Sequence, residues 1–498
     1  LLLIVILSLL AVSASSLAIL ILNPSLIHPG STQVANQLAE STGISIDGSQ
    51  TFDINRPNGD LKLAAAAKIR AHDIPAAQAL WQQALVVDSG DAETRIYQED
   101  QRVLASHHPY ITLVIGTILG KGYISGGRDD LQGAYIAQHE YNDSVNQTGG
   151  TRPLLRLLVA SSTFDTVSPA QVAQQIVEAA QQDATIKGVM GWPTTASAQS
   201  SLAILAAAHI PMLSASASGD TLSGQSLFFF RLSPTNTFQE ELAARYVKNV
   251  LHAKRVALFE DPNDPFSRTL ADAFVKYFAD ADHRIIVQEN YVKGHPETLP
   301  ELAKQAIAQH PDLLYFSGYA GDASVVLKSL PACNPGSCLL VMGGEAFYLQ
   351  ADYALDDLAN YTRLRFTSFA FPGLWRIQNS PQPGFFKDYA QIFDPNGQYR
   401  PGTYGYNLPE GHTMLSYDAI RVLLYASNTA QDQFHFTPND LRQALTRITR
   451  SHPFQGVSGP IAFGPNGDNS LGKVMVLAGN TPGSPDGNIR LDYREEAP

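Results

Sequence analysis

From Pro109 to about Ile448, short apolar runs alternate with amphipathic stretches of helical length, and few folds accept that alternation. Leu154 to Ala160, Ile186 to Met190, Val256 to Phe259, Leu313 to Ser317 and Leu339 to Met342 are short and apolar, as buried strands are. Between such runs, stretches such as Pro169 to Gln182 and Ser267 to Phe278 place their apolar residues at helical spacing. Strands that are each followed by a helix pair in parallel, with helices on both faces of the sheet. A chain of 498 residues is too long for one such sheet, and two or three folded units are expected.

Ligands in folds of this kind bind beyond the carboxyl ends of the strands. The first unit is ITLVIGTILGKGYISGGRDDLQGAYIAQHEYN: a strand from Ile111 to Ile115, a glycine loop, and a helix from about Arg128. Free N–H groups at such a helix start suit a carboxylate or phosphate. The other loops read GWPTTASAQ, LSASASGDTLS, EDPNDPFS, SGYAGD and GGEAFY. All are small, hydroxylated or glycine-rich, apart from a few aromatics and one acid, Glu345. Hydroxyls and N–H groups hold an anion, and an isolated carboxylate beside aromatic rings holds a cation. A zwitterion needs both.

A hydrophobic content of 44% with 16% charged residues describes a globular protein, and a net charge of -12 argues against nucleic acid as a partner. Gly120, Gly122 and Gly126 give G-x-G-x-x-x-G, one residue too long for a dinucleotide loop, and no acid closes the next strand to take a ribose hydroxyl. The nucleophile elbow G-x-S-x-G does not occur, so Ser125 and Ser216 lack the setting of a hydrolase serine. Asp129-Asp130 and Asp356-Asp357 are expected to cap helices or face solvent. No cofactor motif and no metal-ligand spacing stand out; Cys333 and Cys338, in ACNPGSC with no neighbouring histidine pattern, are expected to form a local disulfide in an oxidising compartment instead of a zinc site.

Residues 1–22, LLLIVILSLLAVSASSLAILIL, carry no charge and as a helix would cross a bilayer core of about 30 Å. Their length favours an uncleaved membrane anchor over a signal peptide, whose apolar region is usually about 7–15 residues. The first residue is not Met, as in a piece of a longer polypeptide. Residues 23–60 are rich in Ser, Gly, Asn, Pro and Thr and read as a flexible tether. Residues 61–105 read as an α-helical hairpin of two or three short helices, with breaks at His72-Asp73 and Ser89-Gly90-Asp91. Within it, HDIPAAQALWQQALVVDSGDAE resembles a single tetratricopeptide-like repeat, with Ala77, Trp81, Ala84 and Leu85 at its packing positions. Such a unit packs on the next domain, on a partner or on further repeats, or serves as a spacer; the region from about Pro109 is expected to fold without it.

With these loops in view, residues 110–491 resemble the type I periplasmic binding proteins, in particular the leucine/isoleucine/valine-binding branch of ABC transporter receptors. The resemblance rests on GAYIAQHEYN, KGVMGWPTTASAQ, IPMLSASASGDTLS, FFFRLSPTNTFQ, RVALFEDPNDPFSRTLADAF, LLYFSGYAGD, VMGGEAF, YDAIRVLLYA and FQGVSGPIAFGPNGD, in that order. It implies a two-lobed α/β fold without enzymatic activity. Lobe 1 would take residues 110–232 and 368–450, and lobe 2 residues 233–367 and 451–491. Three crossovers join them, near Leu232 to Thr237, Arg365 to Ala370 and Arg450 to Phe454.

The resemblance further implies that Thr195 and the loop Ser216, Ala217, Ser218 grip an amino acid's carboxylate and ammonium from lobe 1. From lobe 2, Phe266 stands at a family tyrosine, Tyr319 at a ligand-facing tyrosine, and Glu345 at the acid that pairs with the ammonium. Gly126 stands where relatives often place an aromatic wall, and Trp192 either fills part of that space or lies on the lobe surface. The expected partners are a small ligand, an amino acid by this reading, the membrane through the N-terminal helix, and an ABC permease. An attached signalling module is the alternative, making the protein a sensor. The expected location is extracytoplasmic.

Overall fold

The structure, a computed structural model, describes residues 41–333, 338–353, 360–430, 432–484 and 487–494. The anchor expected over residues 1–22 lies outside the described residues. No described helix is long and apolar enough to cross a membrane.

The tether reading fails from residue 43 onward. β1 (Gly43–Ser45) pairs antiparallel with the strand that contains Val159 to Ser161. Beyond it, Asp53 is buried and takes both arms of the Arg128 guanidinium at 2.9 Å. Burial would raise the Asp53 carboxyl, but the fields of Arg128 and Lys62 outweigh it and hold the group below the ordinary carboxylate range. Three helices follow, broken where the sequence breaks its helical pattern: α1 (Gly59–Arg70), α2 (Ile74–Val87) and α3 (Ala92–Ala105). Asp73 and Asp91 cap α2 and α3 by accepting from Ala76 and Thr94 N–H. Ala77 and Trp81 share one apolar core with Ile111, Leu113 and Leu155, and Asp100 of α3 accepts from Leu157 N–H at 3.0 Å. The helices therefore pack on the next domain as part of lobe 1 and are not a spacer.

Lobe 1 continues through β2 (Tyr110–Ile118), α4 (Ile124–Gln147), β3 (Leu154–Ser162), α5 (Ser168–Gln182), β4 (Ile186–Gly191), α6 (Thr195–Ala207), β5 (Met212–Ser214) and β6 (Phe229–Arg231). Its sheet runs β1-β3-β2-β4-β5-β6, parallel throughout except at β1. After β6 the chain crosses to lobe 2: α7 (Asn236–Asn249), β7 (Arg255–Glu260), α8 (Pro265–Phe278), β8 (Arg284–Asn290), α9 (Leu299–Ile307), β9 (Leu313–Ser317), α10 (Ala320–Ser329), β10 (Leu340–Gly343) and β11 (Leu364–Ser368). Cys333 and Cys338, between α10 and β10, are joined by a disulfide.

The return follows β11. α11 (Gly373–Ile377), α12 (Gly384–Phe393), α13 (Gly411–Asn428) and α14 (Pro438–Leu445) come next, and residues of the last three lie in the lobe 1 core. α13 packs on α4 through carboxyls the sequence reading left to caps or solvent: Asp129 and Asp130 are buried and accept from the Thr413 and Ser416 hydroxyls at 2.7 Å each. Asp356-Asp357 lie outside the described residues. The hairpin β12 (Phe454–Gln455) with β13 (Pro460–Ile461) also stays on lobe 1, where Phe463 packs its ring 5.1 Å from Phe230. The third crossing therefore follows Asp468, which pairs with Arg231 at 2.6 Å, and is not at residues 450–454. β14 (Met475–Ser484) and β15 (Gly487–Tyr493) then complete the second sheet, in the order β15-β14-β11-β10-β9-β7-β8. β7 to β11 are parallel and β14 and β15 are antiparallel additions.

Candidate ligand-binding cleft

Thr195, Ser216, Ser218, Phe266, Tyr319 and Glu345 line one small cavity between the lobes. Each stands just beyond the carboxyl end of a parallel strand, where side chains converge without belonging to either sheet. Thr195 opens α6 after β4, and the serines follow β5. Phe266 lies in the first turn of α8 after β7, Tyr319 precedes α10 after β9, and Glu345 opens a 3-10 turn after β10. Ala217 is buried but not at the cavity: its carbonyl accepts from the Ser233 hydroxyl at 2.9 Å and its N–H donates to Ser214 Oγ.

The lobes meet across the cavity. The Ser218 hydroxyl donates to Glu345 Oε1 at 2.7 Å, and the Ser125 hydroxyl donates to Asp352 Oδ1 at 2.5 Å. Gly219 N–H donates to Thr195 Oγ1 at 3.0 Å, and the Ser216 hydroxyl to the Pro193 carbonyl at 3.1 Å. What remains is about 10 Å³, space for roughly one water molecule. The cleft is closed on itself, and any amino acid requires it to open.

Three polar groups at the cavity lack partners: Glu345 Oε2, the Tyr319 hydroxyl and His412 Nδ1. Burial pushes the Glu345 carboxyl up to about 7, against the pull of the hydrogen bond from Ser218. A cation placed there would both ionise the carboxyl and satisfy its free oxygen.

The aromatic wall missing at Gly126 comes from Tyr123, three residues earlier. A Cβ at Gly126 would lie 2.2 Å from the Tyr123 ring, and one at Gly127 2.1 Å from the Ile118 carbonyl oxygen. Both glycines sit inside α4, so the helix starts four residues before the expected Arg128 and Tyr123 folds over its first turn. Tyr123 and Phe164 of lobe 1 reach Tyr319 of lobe 2 with centroids 6.2 and 5.0 Å away, and Phe266 packs on Tyr319 at 5.1 Å. Lys293 of lobe 2 closes the rim, its ammonium 4.1 Å from the Phe164 ring centre. Trp192 lies in the lobe 1 core, neither in the cavity nor on the surface, with its indole N–H donated to Ser162 Oγ at 3.0 Å.

Sequence reasoning missed Tyr123, Phe164, Lys293 and His412. Tyr123 and Phe164 could have been found as the aromatic residues in the loops after β2 and β3. His412 also lines the cavity, from the start of α13, and had no local motif to mark it.

The described periplasmic binding protein family matches residues 113–479. An amino acid binding protein from Pseudomonas aeruginosa is 23% identical over 340 residues, 67% of this chain and 82% of that protein. Among solved structures, the substrate-binding protein LivJ of a branched-chain amino acid transporter from Streptococcus pneumoniae, in complex with isoleucine, superposes with a TM-score of 0.61 at 17% identity. That match covers 75% of this chain and 97% of LivJ. The leucine-binding protein LivK from Thermotoga maritima gives a TM-score of 0.62 at 18% identity, over 77% and 98% of the two chains. Two lobes of parallel sheet, three crossings and a cleft at the strand ends agree with the matched family, and the chain belongs to the periplasmic binding proteins.

Proposed function

We propose that this protein is an extracytoplasmic receptor that captures an amino acid between its lobes and presents it to an ABC-type permease. The observation that carries this reading is Glu345 Oε2, a buried carboxylate oxygen without a partner, facing the hydroxyl loop of the opposite lobe across the cavity. On opening, Ser218 and Glu345 separate. A zwitterion then enters with its ammonium at Glu345, its carboxylate at the α6 start and the Ser216 to Ser218 loop, and its side chain along Tyr123, Phe266 and Tyr319. The named ligands and substrates of the relatives, isoleucine, leucine and amino acids in general, support the same ligand class. A thermal-shift panel of amino acids, simple carboxylates, amides and sugars tests it. One or more amino acids should raise the melting temperature by mass action, and a shift confined to ligands without an ammonium group would overturn the reading.

A further inference from the structure

Beside the cavity lies a group of buried acids and an imidazole for which no cationic partner stands among the described residues. Asp129 on α4 and Glu410 and His412 at the start of α13 each offer one ligand-type atom, all within 4.8 Å of one another. All three residues are more than nine-tenths buried, and Glu410 Oε2 and His412 Nδ1 have no hydrogen-bond partner. Their other atoms are held in place: Gln350 N–H donates to Glu410 Oε1 at 3.1 Å, and the Thr413 hydroxyl to Asp129 Oδ1 at 2.7 Å. Arg128, one residue before Asp129, is committed to Asp53 at 2.9 Å. In the segment after β10, Asp352 Oδ2 and Gln350 Oε1 are likewise without partners.

Carboxyls buried this way need a shared proton or a cation. His412 Nδ1, buried and without a hydrogen-bond partner, offers a lone pair in the neutral imidazole. Two carboxylate oxygens and one imidazole nitrogen suit a borderline-soft ion such as Zn²⁺. Such ions sit about 2.0–2.2 Å from these ligands, so the three side chains would draw in around the ion by up to roughly 0.8 Å each.

We propose that Asp129, Glu410 and His412 bind a divalent transition-metal ion at the wall of the cleft, with Asp352 and Gln350 on the facing segment available as further donors. His412 belongs both to this group and to the cavity lining, which makes ion binding and ligand binding neighbours. The inference stands on these residues and does not depend on which ligand the cleft takes.

The test uses the full chain, stripped with chelator and titrated with ZnCl₂ by calorimetry at neutral pH, with CoCl₂ visible absorption as a second readout. One Zn²⁺ per chain is expected, and Co²⁺ should give the intense bands of a low-coordinate protein site. Glu410→Gln and His412→Gln should each weaken Zn²⁺ at least tenfold. His435→Gln, which removes an exposed histidine 2.9 Å from Asp432, should leave the affinity unchanged. The wild-type Co²⁺ spectrum decides even where a variant folds poorly. Absence of stoichiometric zinc, or zinc binding lost in His435→Gln and retained in the other two, overturns the proposal. So does a silent zinc titration alongside tight, Glu410-dependent binding of lysine or ornithine, because the acids would then receive a ligand's second ammonium.

Discussion

Replacing Lys62 by Met takes one positive charge out of a buried network while keeping an unbranched side chain that ends one atom short of the ammonium. The Lys62 ammonium is 2.7 Å from Glu93 Oε2 and 3.1 Å from Asp91 Oδ2, and it donates to the Asp53 carbonyl at 2.8 Å. Burial opposes its charge, but the fields of Asp91, Glu93 and Asp53 outweigh that and raise its pKa. The acids cannot turn to solvent once it is gone. Glu93 is fixed by Phe52 N–H, Asp53 N–H and the Tyr97 hydroxyl, and Asp91 by the Asn58 amide and the Thr94 hydroxyl. Removing one partner of a buried pair typically costs about 3–5 kcal/mol, because the other is left uncompensated. Lys68→Met is the control: Lys68 lies 3.5 Å from Asp73 with both side chains about half exposed, a pair worth about 0–1 kcal/mol. Urea unfolding followed by tryptophan fluorescence compares the two, since Trp81 sits in the same core. A Lys62→Met loss no larger than that of Lys68→Met would refute the claim that this network ties residues 51–105 into lobe 1.

A chain beginning at Ser106 should aggregate, because it exposes β3, loses the Asp100 acceptor of Leu157 N–H and strands Arg128; monodisperse protein by light scattering would contradict this. Stability should fall as pH rises. Burial puts Asp100 and Glu345 at about 7 and Asp418 at about 6, above their ordinary values of 3.8, 4.5 and 3.8, so their contribution is complete below about pH 4 and is lost as pH passes through 6–7. The melting temperature of unliganded protein should therefore drop between pH 5 and 8 by more than roughly 5 °C, and a flat or rising profile would count against it. Unreduced protein from an oxidising compartment should show Cys333 and Cys338 bridged by mass spectrometry, and reduction should lower stability by about 2 kcal/mol.

The alternation of apolar runs and helices was enough to read the sheets and the loops that meet at the cleft, since period and burial leave a direct trace in residue type. Boundaries set by tertiary contact were not readable. Gly126 and Gly127 look like loop residues, yet they lie in α4 because Tyr123 and the Ile118 carbonyl need the space. Residues 43–58 read as a tether because their hold on lobe 1 is by buried charge and strand pairing, which hydrophobic patterning does not detect. Asp129 and His412 are far apart in the chain and meet only because α13 returns to α4, so no local motif could mark them.

Calorimetric titration of wild type and Glu345→Gln with the best amino acid from the panel tests the central claim most directly. Glutamine keeps the size of the side chain and its contact with Ser218 while removing the charge that compensates a desolvated ammonium. The account predicts a loss of about 2–5 kcal/mol in binding, at least a roughly thirtyfold weaker Kd, with little change in unliganded melting temperature. Equal affinity of wild type and Glu345→Gln for that amino acid would contradict it.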